Sequence, residues 1–135
     1  MNPNTRRTLG RIAAAVAVLF GLVTLVAGGR VLLGADPGYR VFMPLLVFNT
    51  AMGLAYVAVG VLAWRRHRLA VPGAAAIVLA NLAMLAFIGF VYQPDGPVAR
   101  QSLGAMSFRT AVWVLLLLVF RWTSSGSGGA SPPRS

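Results

Sequence analysis

The sequence predicts an all-α integral membrane protein: four antiparallel transmembrane helices in one bundle, with both termini in the cytoplasm. Three observations carry that prediction. Apolar residues make up 58% of the 135-residue chain and charged residues only 10%, against about 25% charged in soluble domains. The apolar residues fall into four runs separated by short polar stretches, the first three matching the ~20 residues that a helix needs to cross a bilayer. The basic residues, all arginine, are distributed unevenly about those runs.

Residues 1–8 are polar, carry Arg6 and Arg7, and read as a short cytoplasmic segment. The first run, residues 9–33, is longer than the about 7–15 apolar residues of a secretory signal, so it is expected to remain as an uncleaved span. Ala13, Ala17 and Gly21 recur every fourth residue there, a spacing that lets two helix backbones approach closely. Asp36-Pro-Gly signals a turn in the first loop. The second run, residues 41–64, has Pro44 in its first turn, where proline is tolerated. Asn49, Met52, Gly53, Tyr56 and Gly60 follow at spacings of three or four, so this small and polar face is expected to look into the bundle. The run stops at Arg65-Arg-His-Arg68. The third, residues 69–92, places Asn81 near mid-depth and offers Ala76 and Ala80 as another close-packing surface. Gln93-Pro-Asp-Gly-Pro97 forms the next loop.

The fourth span is the unusual one. The apolar stretch 110–122 has thirteen residues and would measure about 20 Å at 1.5 Å per residue, short of the ~30 Å hydrocarbon core. The helix must therefore start near residue 101 and run to 122, which carries Arg109 below the membrane surface. Residues 9–122 thus form the membrane domain, and 123–135 a Ser/Gly/Pro tail of disordered composition.

Orientation follows from the arginines. Arg6, Arg7, Arg11, Arg65, Arg66, Arg68, Arg121 and Arg134 fall on one side. Arg30, Arg40, Arg100 and Arg109 fall on the other, offset by Asp36 and Asp95, the only acids in a chain of net charge +10. The positive-inside rule places the richer side, with both termini and the 65–68 loop, in the cytoplasm. Arg65, Arg66, Arg68 and Arg121 are the expected contacts to anionic lipid headgroups, and this arrangement sets nucleic-acid binding aside. Abundant Arg and Ala without Lys point to a GC-rich bacterial genome, hence to the bacterial inner (plasma) membrane.

Helices starting at 41 and 101 would put Asn49 and Arg109 each about 12 Å below the outer end. Tyr56 and Asn81 lie deeper and Tyr92 at the rim, so Asn49, Tyr56, Asn81, Tyr92 and Arg109 form a candidate intramembrane polar cluster. A cation at the centre of a span costs about 2.5–3.5 kcal/mol on insertion scales, less near the edge. Hydrogen bonds to Asn49 or Tyr92, or an acid folding inward from a loop, would offset that. The cluster can be read as a site for an anionic or polar ligand or a partner subunit. It can equally be structural, with Arg109 snorkelling to the outer interface and the asparagines as interhelical glue, and this second reading is preferred.

Several chemistries are excluded. The chain has no cysteine, which removes disulfide, thiol and Cys-ligated metal chemistry. His67 is the only histidine, which rules out bis-histidine haem or a multi-His metal site, and it reads as interfacial charge. No acid lies within a span, which argues against proton-coupled transport through a membrane carboxylate. No catalytic triad, carboxylate pair or phosphate-binding glycine loop can be assembled. The chain is therefore not expected to be an enzyme or to hold a cofactor or metal.

Val47-Phe-Asn49-Thr-Ala-Met-Gly53-Leu-Ala-Tyr56-Val-Ala-Val-Gly60, followed by Arg100 and by Ala105-Met106, Arg109-Thr110 and Trp113, resembles an uncharacterised family of small four-span bacterial inner-membrane proteins. The resemblance covers nearly all four spans and implies the fold but no activity. It also implies an acidic residue just before the loop arginine, where this chain has Val98.

The function expected from these features is that of a non-enzymatic accessory or structural subunit. It would pack its small-residue faces on itself, as a homo-oligomer, or on a larger membrane complex. The alternative is a small oligomeric transporter or channel for an anionic or neutral solute, with Arg109 lining the path. A third reading is a quinone- or lipid-binding membrane protein.

Overall fold

The computed structural model describes residues 3–38, 41–96 and 98–128, with side chains described as far as 124. Tyr39, Arg40 and Arg134 lie outside the described residues. The regular elements among them are four α-helices: α1 (Pro3–Leu32), α2 (Met43–Trp64), α3 (Ala70–Val91) and α4 (Arg100–Gly128). All four are long and apolar enough to cross a membrane. The shortest, α2 and α3, have 22 residues each, or about 33 Å. Strongly exposed apolar side chains occur on every helix, among them Val23, Leu54, Phe90 and Leu115, consistent with lipid contact.

The helix ends differ from those read in the sequence. α1 starts at Pro3, inside the segment assigned as polar and cytoplasmic. Nothing between Asn4 and Thr8 breaks a helix, and the Thr8 hydroxyl donates to the Asn4 carbonyl within it, 2.9 Å away. α4 likewise runs past Trp122 to Gly128, so the first six residues of the expected tail are helical, while 129–135 lie outside the described residues. Hydropathy marks where lipid ends, whereas a helix ends where its backbone hydrogen bonds do. Pro44 falls at the start of α2 and Pro72 in the first turn of α3, where a missing amide proton has no intrahelical partner to lose.

α1 packs most extensively on α2, and α3 on α4; contacts of α1 with α4 and of α2 with α3 give each helix two neighbours. The α1–α2 contact is made by small residues. Ala13, Ala14, Ala17 and Gly21 are buried on α1, and Gly53 and Gly60 on α2. A Cβ at Gly21 would stand 2.8 Å from the Gly53 carbonyl oxygen, which leaves space for no side chain larger than hydrogen. The small-xxx-small stripe of α1 is thus consumed inside the chain. On α3 the expected close-packing surface is displaced. Ala76 is exposed and Ala80 half-buried, while the buried face runs through Ala70, Ala74, Ile77, Val78, Asn81 and Ile88.

Two apolar clusters fill the interior. The larger, around Ala17, Tyr56, Ile77, Trp113 and Phe120, extends toward the end that carries both termini. The smaller, Leu45, Ile88, Val98 and Met106, lies at the opposite end. Val98 is fully buried there, so this chain accommodates apolar volume where its resemblance implied a carboxylate.

α2 closes with a Schellman turn. The Arg66 amide donates to the Ala63 carbonyl and the His67 amide to the Leu62 carbonyl, at 3.0 and 2.8 Å. That geometry requires a left-handed residue, and Arg66 occupies it with φ of 56°, a position usually held by glycine.

Candidate functional site

A polar layer crosses the interior at the inner edge of the larger apolar cluster, to which Tyr56 also belongs, with one residue from each helix. Measured from the loop end that bears no terminus, Thr24 lies eight residues inside α1, Tyr56 thirteen inside α2, Asn81 ten inside α3 and Arg109 nine inside α4. At 1.5 Å per residue these depths span about 12–20 Å, well within the apolar part of each helix.

The side chains engage in pairs. An Arg109 Nη donates to the Thr24 hydroxyl at 2.8 Å, and the guanidinium carbon lies 5.6 Å from the centroid of the Phe20 ring. The Tyr56 hydroxyl donates to the Asn81 carbonyl oxygen at 3.2 Å. Aromatic contacts join the pairs, with Phe20 at 5.6 Å from Tyr56 and Tyr56 stacked on Trp113 at 4.9 Å. Tyr56, Asn81 and Trp113 are completely buried. Three donors of the layer have no partner among the described residues: Arg109 Nε, Asn81 Nδ2 and Trp113 Nε1.

Arg109 does not snorkel to the outer interface. Its half-buried guanidinium turns across to α1. A hydrogen bond to a charged group contributes about 1.5–3 kcal/mol and a desolvated cation–π contact about 2 kcal/mol. Together, at about 3.5–5 kcal/mol, these offset the about 2.5–3.5 kcal/mol cost of a cation at depth. The loop acids take no part. Asp36 and Asp95 are exposed, and the Asp36 carboxylate accepts the Gly38 amide at 2.8 Å in a local turn.

Of the five residues expected to cluster, the structure brings Tyr56, Asn81 and Arg109 into this layer. Asn49 lies two helical turns from Tyr56, half-buried, with its carbonyl oxygen unpartnered among the described residues. Tyr92 packs against the Leu45–Met106 cluster and stays outside the layer. Two members were missed as partners, Thr24 and Phe20. Thr24 is the sole polar side chain between Arg11 and Arg30, and that isolation was its signal.

The arginines set aside for lipid contact, Arg65, Arg66, Arg68 and Arg121, are all exposed. Among the described residues no group of three His, Asp, Glu or Cys side chains stands ready to hold a metal. No protein-family profile matches the chain, and neither the curated proteins nor the solved structures contain a significant match.

Proposed function

We propose that this chain is a non-enzymatic accessory or structural subunit of the bacterial inner membrane. In this reading it is an antiparallel four-helix bundle with both termini and the 65–68 loop cytoplasmic, and it acts by associating with itself or with a larger membrane complex. The observation that supports it best is the central layer, where Arg109 bonds Thr24 and Tyr56 bonds Asn81 from one helix to another. Polar groups used this way hold helices in register, and the apolar exterior becomes the working surface. Because the Ala13–Ala17–Gly21 stripe is already buried against α2, a partner must use a different face, and α3, with Ala76, Leu79 and Phe90 outward, offers one. The arginine asymmetry supports the orientation. Native mass spectrometry of protein extracted in mild detergent tests the proposal. A defined oligomer or a co-purifying subunit is expected, and a strictly monomeric particle with no companion contradicts it.

The unpartnered donors favour a second reading. Arg109 Nε, Asn81 Nδ2 and Trp113 Nε1 would suit an anionic or carbonyl-bearing solute passing through an oligomer. Solute flux in proteoliposomes that survives Arg109→Ala unchanged would eliminate it.

A further inference from the structure

The end of the molecule that carries both termini holds a cleft of distinctive chemistry. Arg6, Arg7, Arg11, Arg66 and His67 line it, over a floor that includes Val71 and Phe120, so that all four helices contribute. Its volume is about 60 Å³, several times the ~10–15 Å³ that one water needs, and therefore enough for a small polyatomic group.

The chain's two acidic side chains, Asp36 and Asp95, belong to the α1–α2 and α3–α4 loops at the far end, so among the described residues no carboxylate side chain stands beside the cleft. The separation is a full helix length, about 33 Å, more than three Debye lengths in physiological salt. Aromatic rings position the cations instead. The guanidinium carbon of Arg6 lies 5.1 Å from the Trp122 ring centroid, and that of Arg11 lies 5.0 Å from that of Trp64. A guanidinium laid over a ring keeps its N–H fork in the guanidinium plane, the geometry that matches phosphate oxygens. Arg6 Nε is buried with no partner among the described residues. His67 Nδ1 accepts the Leu69 amide at 3.0 Å, which leaves Nε2–H as its donor. Arg66 holds a left-handed backbone position where glycine is the low-energy residue; the turn alone does not account for an arginine.

We infer that this cleft binds a phosphate-bearing anion stoichiometrically. The apolar floor favours a phosphate attached to hydrocarbon, so the headgroup of an anionic membrane lipid fits best, its chain lying over Val71 and Phe120. Such a site differs from the diffuse attraction of anionic lipid to exposed Arg65, Arg68 and Arg121, and it stands independently of the accessory role.

The full chain in a neutral detergent can be titrated separately with dihexanoyl phosphatidylglycerol and with inorganic phosphate. Tryptophan fluorescence reports on Trp64 and Trp122, and native mass spectrometry counts adducts. Saturable one-to-one binding of the lipid is expected, weakened about tenfold by Arg6→Gln and by Arg66→Gly, as for loss of one charge-assisted contact, and less than about twofold by Arg68→Gln. Arg66→Gly is the decisive variant, because glycine suits the turn and the protein folds at least as well. Inorganic phosphate binding as tightly through the same residues supports the phosphate site and assigns its source to a free anion. Uptake that does not saturate, or a loss with Arg6→Gln and Arg66→Gly no greater than with Arg68→Gln, overturns the inference.

Discussion

Gly60→Ala tests how closely α1 and α2 meet. A methyl group on Gly60 would stand 2.7 Å from Val18 Cγ2, 2.9 Å from the Val18 amide nitrogen and 3.1 Å from the Ala14 carbonyl oxygen. The Val18 methyl can rotate aside, but the two backbone atoms cannot. Restoring a contact of about 3.5 Å requires α1 to retreat by roughly 0.5 Å. A gap of about 0.5–1 Å forfeits a quarter to a half of the attraction in each affected contact, and overpacking of this kind costs about 1–3 kcal/mol. Helix propensity acts the other way, favouring alanine by up to about 1 kcal/mol, so a net loss of ~1–2 kcal/mol is expected. Gly89, also helical, is the control, since a Cβ there meets nothing within 4 Å. Gly89→Ala should be neutral or slightly stabilising. Reversible unfolding in detergent, followed by tryptophan fluorescence, measures both. Equal stability of Gly60→Ala and Gly89→Ala would refute the close approach of α1 and α2.

Tyr56→Phe removes the hydroxyl that pairs with Asn81, a fully buried residue. It should destabilise by about 1–3 kcal/mol, and adding Asn81→Leu should recover part of that loss in the same unfolding assay, because the buried amide that lost its partner is then gone as well. Val98→Asp places a carboxylate among Leu45, Ile88 and Met106. It should cost several kcal/mol, on the order of the burial penalty of an unpaired charge, and sharply reduce the yield of folded protein. Wild-type yield and stability would show that the segment before α4 is not packed on that cluster.

The four helices were legible because lipid demands long apolar runs, and residues 41–64 and 69–92 leave little room for another reading. The third helix shows where legibility stops. It is apolar on every side, so nothing in the sequence fixes its rotation, and Asn81 turns inward while Ala76 turns outward. Tyr56, Asn81 and Arg109 were found by counting depth along straight helices. Thr24 was missed because a lone threonine reads as apolar filling until a donor from another helix meets it. Tyr92 was misassigned because it sits where α3 gives way to a loop, and its packing depends on where that loop brings Val98. The basic cleft was not read at all, since Arg66 and His67 are far in sequence from Arg6 and Arg11 and meet them only when the helix ends converge.

The central claim is that Arg109 is a member of the helix core, held by Thr24, and not a side chain waiting at the surface. A double-mutant cycle of Thr24→Val and Arg109→Met, read by unfolding in detergent, tests this most directly. A coupling between the two sites of about 1–2 kcal/mol is expected, between the ~0.6 kcal/mol average for interhelical hydrogen bonds in membranes and the higher values seen with charged donors. Effects that add within about 0.3–0.5 kcal/mol, as independent sites do, would contradict it.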